Sequence, residues 1–385
     1  MKKQILSGVL LAAMLFTLAG CAAYRDVPND VGKTAYPIEA YRTTMQYYDD
    51  FKILQLADLH LGIETDVAKQ LEIVKSTIHA EQPDLIVLTG DNFMYATKGV
   101  VQSLLATLNE ACEALTATRG GRLSKFTMTF GNHDNQGDYS RYYINAAIGA
   151  YVAKDDGNEI AEGKFAAFVD FEDDNLFGLA NFYIDLVDDR TKGRDTVDVK
   201  YRLHIIDSNT YHFMGPDYDY DVIHDEQLRH AVNIYEQATA DQSYIGMAFF
   251  HIPLHEYREA YEEYCNASDP ALVGQGEHRE EALCGYINNG AYDMLRSANI
   301  VAFFCGHDHV NYGEIIYHAQ SEEVSDRAIF SYGVKSSNQL YHDKDMVGYK
   351  TLTLRDLSVA EFVSIENINE NFYNMTGGYS NYEAQ

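Results

Sequence analysis

Short clusters of histidine, aspartate and asparagine recur in this sequence, and these residue types are metal ligands. The clusters are Asp58-Leu59-His60, Gly90-Asp91-Asn92, Gly131-Asn132-His133-Asp134, His251-Ile252-Pro253 and Gly306-His307-Asp308-His309. Carboxylate, imidazole and amide oxygen ligands favour manganese, iron or zinc over calcium, and they disfavour copper(I), which prefers sulfur. The clusters therefore indicate a site for divalent transition metals.

Spacing within two clusters supports this interpretation. Asp58 and His60 are two residues apart, and so are His307 and His309. In an extended backbone such residues point to the same side, so each pair could hold one ion. The glycines at positions 90, 131 and 306 let the chain turn sharply.

Taken singly, most clusters have an ordinary explanation. Asp58 could cap a helix, Gly90-Asp91-Asn92 could be a turn, and His251 could be a hydrogen-bonded core histidine. The clusters at 131–134 and 306–309 are harder to explain without a metal or a catalytic role, because they place imidazoles beside carboxylates. All five in order favour a common site.

Each cluster follows an apolar run of strand length. The runs are 51–57, 84–89, 125–130, 244–250 and 300–305. Helical patterns lie between the first three, with apolar stripes from Val67 to Ile78 and from Leu104 to Leu115. This alternation predicts an α/β fold with a mainly parallel sheet, and ligands collect at the carboxyl ends of such strands.

Further along the chain the pattern changes. Segments 164–169, 176–187 and 199–207 predict antiparallel strands, and residues 226–238 predict a helix. The segments 328–332, 349–354 and 359–365 predict strands again. With no repeat and no break in composition, we predict one domain over residues 50–366, followed by a polar tail over 367–385.

The N-terminus has the pattern of an export signal. Lys2 and Lys3 precede a short apolar stretch, and Leu18-Ala19-Gly20-Cys21 resembles the lipobox of bacterial lipoproteins, in which the cysteine is acylated. We therefore expect a signal peptide over residues 1–20, lipidation at Cys21 and a polar tether over 21–49. The expected location is the bacterial cell envelope, extracytoplasmic and lipid-anchored. An ordinary secretory signal is the alternative.

Charge limits the classes of partner. The chain has 29 Lys and Arg against 58 Asp and Glu, a formal net charge of -29. Such a surface repels polyanions, so a nucleic acid polymer is a poor partner, and contact with a membrane is expected through the N-terminal lipid only. The 30 tyrosines suggest an amphipathic surface, and no feature indicates an oligomeric state.

The remaining cysteines carry no metal-binding spacing. Cys112 and Cys305 lie in apolar patterns and are expected to be buried thiols. Cys265 and Cys284 flank a polar loop and could pair in an oxidising compartment. Spacing alone does not show whether their Cα atoms approach.

Taken together, the clusters resemble the signature of the calcineurin-like metallophosphoesterases: DxH, GD, GNH followed by an acid, a lone His, and GHxH, in order between residues 58 and 309. Segment 250–254 and the strand-rich C-terminal end are most similar to the bacterial and fungal branch related to purple acid phosphatases. The resemblance implies a four-layer α-β-β-α sandwich with two mixed sheets.

The resemblance also implies roles for the residues. Asp58, His60 and His309 would bind one ion, Asn132, His251 and His307 the other, and Asp91 would bridge them. A hydroxide between two divalent ions would attack a small phosphate ester. His133 would serve the leaving group, with Asp134 orienting its imidazole. Met94 occupies the position of the tyrosine that binds iron in purple acid phosphatases, so no tyrosinate–iron site is expected.

These features lead to three hypotheses. The first is an exported, dinuclear-metal hydrolase of phosphate monoesters or diesters. The second is a surface lipoprotein that binds metal without catalysis. The third is a structural acidic lipoprotein with an incidental cluster, which metal analysis of the purified protein would test. The pair Asn132-His133 argues against the second hypothesis, since a scavenger needs ligands but no general acid.

Overall fold

Two mixed β-sheets form the centre of the protein. The structure is a computed structural model that describes residues 37–62, 66–153, 163–169, 173, 175–188, 198–238 and 243–377. The strands are β1 (Arg42–Gln46), β2 (Phe51–Leu56), β3 (Leu85–Thr89), β4 (Lys125–Thr129), β5 (Phe182–Val187), β6 (Val199–Ile205), β7 (Tyr211–Met214), β8 (Asp217–Tyr220), β9 (Ile245–Phe249), β10 (Gly274–His278), β11 (Ile300–Cys305), β12 (Asn311–Tyr317), β13 (Ala328–Tyr332), β14 (Gly348–Leu354) and β15 (Phe372–Thr376).

Helices connect many of these strands. They are α1 (Val67–Glu81), α2 (Lys98–Thr118), α3 (Arg141–Gly149), α4 (Asp225–Gln237), α5 (Glu256–Asn266), α6 (Ala291–Ser297), α7 (Val359–Phe362) and α8 (Ile365–Asn371). Short 3₁₀ segments lie at Ile38–Tyr41, Pro270–Leu272 and Val324–Asp326.

Among the described residues, eight strands form one sheet in the order β1-β5-β6-β9-β11-β13-β12-β10, and five form a second in the order β15-β14-β2-β3-β4. In the larger sheet, β1 is parallel to β5, and the neighbours β6, β9, β11 and β13 are parallel to one another. In the smaller sheet, β2, β3 and β4 are parallel. All the other neighbouring pairs of these two sheets are antiparallel. Both sheets are therefore mixed. The hairpin of β7 and β8 stands apart from them.

The alternation of side chains along the strands shows which layer lies against each face of a sheet. In β9, Met247 and Phe249 belong to the core shared with the five-stranded sheet, whereas Ala248 belongs to a second core formed with α4, α5 and α6. Helices α1 and α2 pack against each other and join the shared core from the other side. Because successive residues of a strand face opposite ways, the two sheets pack face to face with helices outside. This arrangement confirms the predicted four-layer α-β-β-α sandwich.

The folded part begins before residue 50. Strand β1 lies within the segment expected to be tether, where it pairs with β5 at the edge of the larger sheet. Strand β15 likewise lies within the expected polar tail and pairs with β14, with Phe372 buried. Both are edge strands. Strand β1 has a single apolar residue, Met45, so its sequence lacks the pattern of a central strand, whereas Phe372, Tyr373 and Met375 of β15 lie in an otherwise polar segment. The predicted signal peptide, Cys21 and residues 22–36 lie outside the described residues.

Two predicted strands are not strands. Residues 359–365, predicted as a strand, include α7 and the start of α8. Ser358 and Glu361 form a capping box there, which favours a helix start over an extended chain. Residues 164–169 make only isolated bridges from Ala166 to Phe126 and Val152.

The described cysteines are all free thiols. Cys112 and Cys305 are buried, as predicted. Cys265 is exposed and Cys284 is buried, so the bridge that their spacing allowed is not formed. Across the described residues, no helix is both long enough and apolar enough to cross a membrane.

Candidate metal centre

All seven side chains predicted as ligands meet at one place, in the loops that follow the carboxyl ends of β2, β3, β4, β9 and β11. Parallel strands bring these loops together from both sheets, as expected for a ligand site in an α/β protein. All seven side chains are buried: Asp58, His60, Asp91, Asn132, His251, His307 and His309.

The first group consists of Asp58, His60 and His309, whose ligand atoms lie within 4.8 Å of one another. The Nε2 atoms of His60 and His309 face each other at 3.0 Å. His309 Nδ1 lies 2.9 Å from the Tyr341 carbonyl oxygen, so it is the nitrogen that carries the proton. Its Nε2 therefore presents a lone pair to the centre of the group.

The second group consists of Asp91, His251 and His307, again with ligand atoms within 4.8 Å. His251 Nδ1 donates to the Thr89 carbonyl at 2.9 Å, which leaves Nε2 free to bind. That Nε2 lies 3.2 Å from His307 Nδ1. Both groups thus have a hydrogen bond that selects the tautomer and aims a lone pair inward.

Asp91 lies between the two groups. Its Oδ2 is 3.3 Å from His251 Nε2 and 3.8 Å from His60 Nε2. Its Oδ1 accepts a hydrogen bond of 2.8 Å from the backbone N–H of His133. One carboxylate therefore faces both groups, in the bridging position that the family resemblance implied.

Asn132 joins the second group through its amide oxygen, which lies 3.2 Å from His251 Nε2. The amide nitrogen donates to the Tyr211 hydroxyl at 2.7 Å. Tyr211 thereby orients the amide with its oxygen toward the site. Nothing in the predicted site residues pointed to Tyr211, since it lies on the separate hairpin.

Burial and charge give the carboxylates and imidazoles opposite preferences for protons. Burial alone would raise the pKa of Asp91, but His251 and His133 outweigh it and hold that pKa well below its usual value. Burial lowers the pKa of His307 to about 3 and that of His60 well below its usual range. His251 differs, because the Asp91 carboxylate overcomes the effect of burial and raises its pKa to about 9. Metal binding requires anionic carboxylates and neutral imidazoles, so an ion bound to His251 would replace a proton there.

Backbone conformation at the ligands is unusual. Asp58, His60, Asp91 and His307 have positive φ values of 57°, 49°, 48° and 80°. Non-glycine residues in this region cost free energy and are concentrated at functional sites. Gly131 lies so close to Asp91 that an added Cβ would collide with its carboxylate.

The close approach of two ligand nitrogens supports the presence of cations. Two imidazole lone pairs facing each other at 3.0 Å, as in His60 and His309, repel unless a proton or a cation lies between them. The donor set, with its carboxylates, imidazoles and one amide oxygen, fits two divalent ions.

His133 lies beside this ligand set without belonging to it. Its Nε2 is 4.0 Å from Asp91 Oδ2, and its side chain is 24% exposed, unlike the buried ligands. Its ring meets that of His60 edge to face at 5.3 Å. An imidazole at the mouth of the site can reach a bound ester from solvent.

Asp134 does not orient His133, contrary to the sequence prediction. Its carboxylate is buried and accepts hydrogen bonds from the backbone N–H groups of Phe93 and Gly131, each at 2.8 Å, and from Asn92 at 3.1 Å. Burial and the Asp91 charge raise its pKa to about 7. The side chain turns inward from the chain segment and joins the ligand loops to one another. Asp134 is therefore a positioning residue.

Lys335 is a second residue that the sequence did not indicate. Its buried ammonium donates to the Asp58 carbonyl at 3.2 Å, and the Ser337 hydroxyl donates to the same oxygen at 3.0 Å. The pair supports the backbone of a ligand residue. Tyr95, next to the Met94 that replaces an iron-binding tyrosine, is hydrogen-bonded to Asp138 at an exposed position instead.

Comparisons with known proteins agree with this geometry. Residues 51–311 match the family described as calcineurin-like phosphoesterase. Phosphatase DCR2 of Saccharomyces cerevisiae is 26% identical over 296 residues, which are 71% of this chain and 47% of that protein. The protein named probable inactive purple acid phosphatase 28 of Arabidopsis thaliana is 26% identical over 312 residues, 69% of this chain and 68% of its own length.

This chain thus spans about half the length of the yeast relative. A dimetal phosphatase from Danio rerio has a solved structure that covers 80% of this chain and 93% of its own, with a TM-score of 0.41 and 11% identity. One relative is named a phosphatase and another inactive, so the names do not decide whether this chain is catalytic.

Proposed function

Because this chain belongs to the calcineurin-like phosphoesterase family, we propose that it is an active dinuclear-metal hydrolase of small phosphate esters. The observation that carries the proposal is the position of Asp91, which faces both ligand groups while His133 stands outside them. Manganese, iron and zinc suit the donor set.

Two divalent ions held here would supply the attacking oxygen nucleophile and neutralise the charge on the phosphoryl group. The chain's own residues provide the rest. Asp58 and Asp91 hold negative charge, while His251 and His309 are fixed as single tautomers by the Thr89 and Tyr341 carbonyls. His133 can hold a proton for the leaving-group oxygen.

The intact His133 favours catalysis over metal binding alone. A metal-binding surface protein requires the seven ligands, but it has no use for a partly exposed imidazole beside them. The backbone N–H of His133 donates a hydrogen bond to Asp91, so the side chain projects from a fixed backbone position.

Metal removal and reconstitution test this function. Residues 22–385 should bind close to two ions per chain, measured by elemental analysis, and should hydrolyse phosphate monoesters or diesters. A chelator should abolish both properties, and manganese, iron or zinc should restore them together. Protein that binds two ions per chain and hydrolyses no ester would establish the metal-binding alternative.

We further propose that the protein is exported and anchored by a lipid on Cys21. The support is the lipobox-like sequence Leu18-Ala19-Gly20-Cys21 after a short apolar stretch. Native protein should partition with membranes, and Cys21→Ser should abolish labelling by a fatty-acid probe in the producing cells. Acylation by two or more chains gives durable anchoring. Native protein that washes off membranes without detergent would show a plain secretory signal instead.

A further inference from the structure

One face of the β7–β8 hairpin is a row of aromatic rings. The register pairs Tyr211 with Tyr220 and Phe213 with Tyr218. Directly paired residues of antiparallel strands lie on the same face, so these four rings form one surface. We refer to Tyr211, Phe213, Tyr218 and Tyr220 as the aromatic ladder.

The inner end of the aromatic ladder contacts the metal ligands. The Tyr211 hydroxyl accepts the hydrogen bond from Asn132 Nδ2 at 2.7 Å. The Tyr220 ring lies 4.3 Å from the His307 ring in an edge-to-face arrangement. If an ester binds with its phosphoryl group at the metal centre, the adjoining organic part therefore lies next to these two tyrosines.

The outer end is open to solvent. Phe213 is 47% exposed and Tyr218 is 60% exposed. The Tyr218 ring lies 5.3 Å from Tyr211 and 6.1 Å from Phe213, so the rings are continuous from the centre outward. Exposed aromatic surface that continues from a functional site indicates a place for a ligand.

The other face of the hairpin is fixed to the body of the protein. His212 stacks on Tyr286 with ring centroids 3.8 Å apart, and the Tyr286 backbone N–H donates to the Tyr220 carbonyl at 2.8 Å. The hairpin is thus supported from behind. Its aromatic face is held beside the site and faces outward.

Resting on the proposed esterase function, we propose that the aromatic ladder binds a planar ring in the organic part of the ester. A strand rises about 3.3 Å per residue, so Tyr218 lies two residues, or about 7 Å, beyond Tyr220. A separation of about 7 Å suits a substrate with a sugar between its phosphate and the ring that stacks on Tyr218. The substrate class is therefore aromatic or heteroaromatic phosphate esters, with nucleoside monophosphates as the best fit.

Charge favours a single phosphate. Asp217 and Asp219 are exposed on the opposite face of the same short hairpin, and the chain has a net charge of -29. Additional phosphates extending along the hairpin would meet this negative potential. A neutral ring is the complementary group for the aromatic ladder.

The test compares adenosine 5′-monophosphate with ribose 5-phosphate, which has the same phosphate linkage without the ring. Stacking of one base on an aromatic side chain predicts a preference of roughly ten-fold in kcat/KM for the nucleotide. Tyr218→Ala should remove most of that preference through KM, whereas Tyr218→Phe should retain it. Phenyl phosphate against glycerol phosphate shows whether a ring without a sugar is also recognised.

The matched control is Tyr373→Ala, which removes a tyrosine of similar exposure, 54%, from β15 at the edge of the five-stranded sheet. This variant should keep the native preference. Equal kcat/KM for nucleotide and sugar phosphate in the native protein would overturn the proposal. A Tyr218→Ala variant that loses activity equally on the nucleotide and on the sugar phosphate would also overturn it. The same holds for a Tyr218→Ala variant that keeps the native preference and differs only in its oligomeric state, measured by sedimentation.

The outcomes separate this proposal from the proposed function. If metal-loaded protein hydrolyses no phosphate monoester or diester, the esterase function is wrong. Calorimetric binding of adenosine 5′-monophosphate and ribose 5-phosphate then tests the aromatic ladder by itself. Tighter binding of the nucleotide that Tyr218→Ala abolishes would support the aromatic ladder as a binding site. Equal binding of the two compounds would overturn it.

Discussion

Asp91→Asn is expected to lower metal content and esterase activity together. The Asp91 carboxylate uses Oδ2 to face His251 and His60, and Oδ1 to accept from the His133 backbone. An amide offers one oxygen and no charge, so it can keep only one of these roles. The loss of metal affinity should exceed the roughly 10–100-fold that removal of an outer-shell partner costs.

Asp308→Asn is the matched control for this substitution. Asp308 is as buried as Asp91, but its Oδ2 accepts from the Tyr332 hydroxyl at 2.6 Å and from Asn311 at 3.3 Å, and its Oδ1 accepts from the Leu283 backbone N–H at 3.3 Å. Burial raises its pKa to about 7, whereas the pKa of Asp91 is held well below its usual value, so loss of the negative charge costs less at Asp308. This variant should keep its metals and most of its activity.

The measurements are elemental analysis, a metal titration and initial rates on the same preparations, with circular dichroism to establish that each variant is folded. Normal turnover by Asp91→Asn would contradict the two-metal arrangement. Equal damage from both substitutions would show that the loss comes from disturbing the buried loops and not from removing a shared carboxylate.

The location of the site could be predicted from the sequence because each cluster of ligand-type residues follows its strand. The apolar runs predicted where strands β2, β3, β4, β9 and β11 end, and parallel pairing brings those ends together. That step needs only local patterns and one rule about sheets. The choice of seven ligands within the clusters, with His133 and Asp308 left out, rested on the resemblance to the calcineurin-like family.

The hairpin of β7 and β8 was missed, although its signal is present. Aromatic residues alternate with polar ones on either side of Gly215-Pro216, which is the pattern of two strands joined by a turn. No strand was predicted in this segment. The capping box of Ser358 and Glu361 is also visible in the sequence, and it favours a helix over the strand predicted at 359–365.

The supporting residues could not be predicted, for a physical reason. Lys335 reaches the Asp58 carbonyl across 277 positions of the chain, and only the packing of β2 against the segment after β13 brings them together. Asp134 follows His133 directly, yet its side chain points to Phe93 and Gly131. Adjacency in sequence does not give the direction of a side chain in an irregular loop.

His133→Ala is expected to separate catalysis from metal binding. The seven ligands do not include His133, and its backbone N–H, which donates to Asp91, is retained in the variant. Metal content should therefore remain close to native. The rate should fall by roughly 10²–10⁴, the usual contribution of a positioned general acid.

The size of that loss should depend on the leaving group. A nitrophenolate departs without a proton, whereas an alkoxide needs one, so the deficit of His133→Ala should be larger for alkyl esters than for nitrophenyl esters. A purely structural role would impair both kinds of ester equally. The His133 imidazole lies beside Asp91, is partly exposed and is outside the ligand set, and this position predicts the unequal result. If the variant loses its metals, or if its deficits on the two kinds of ester are the same, His133 is not the proton donor.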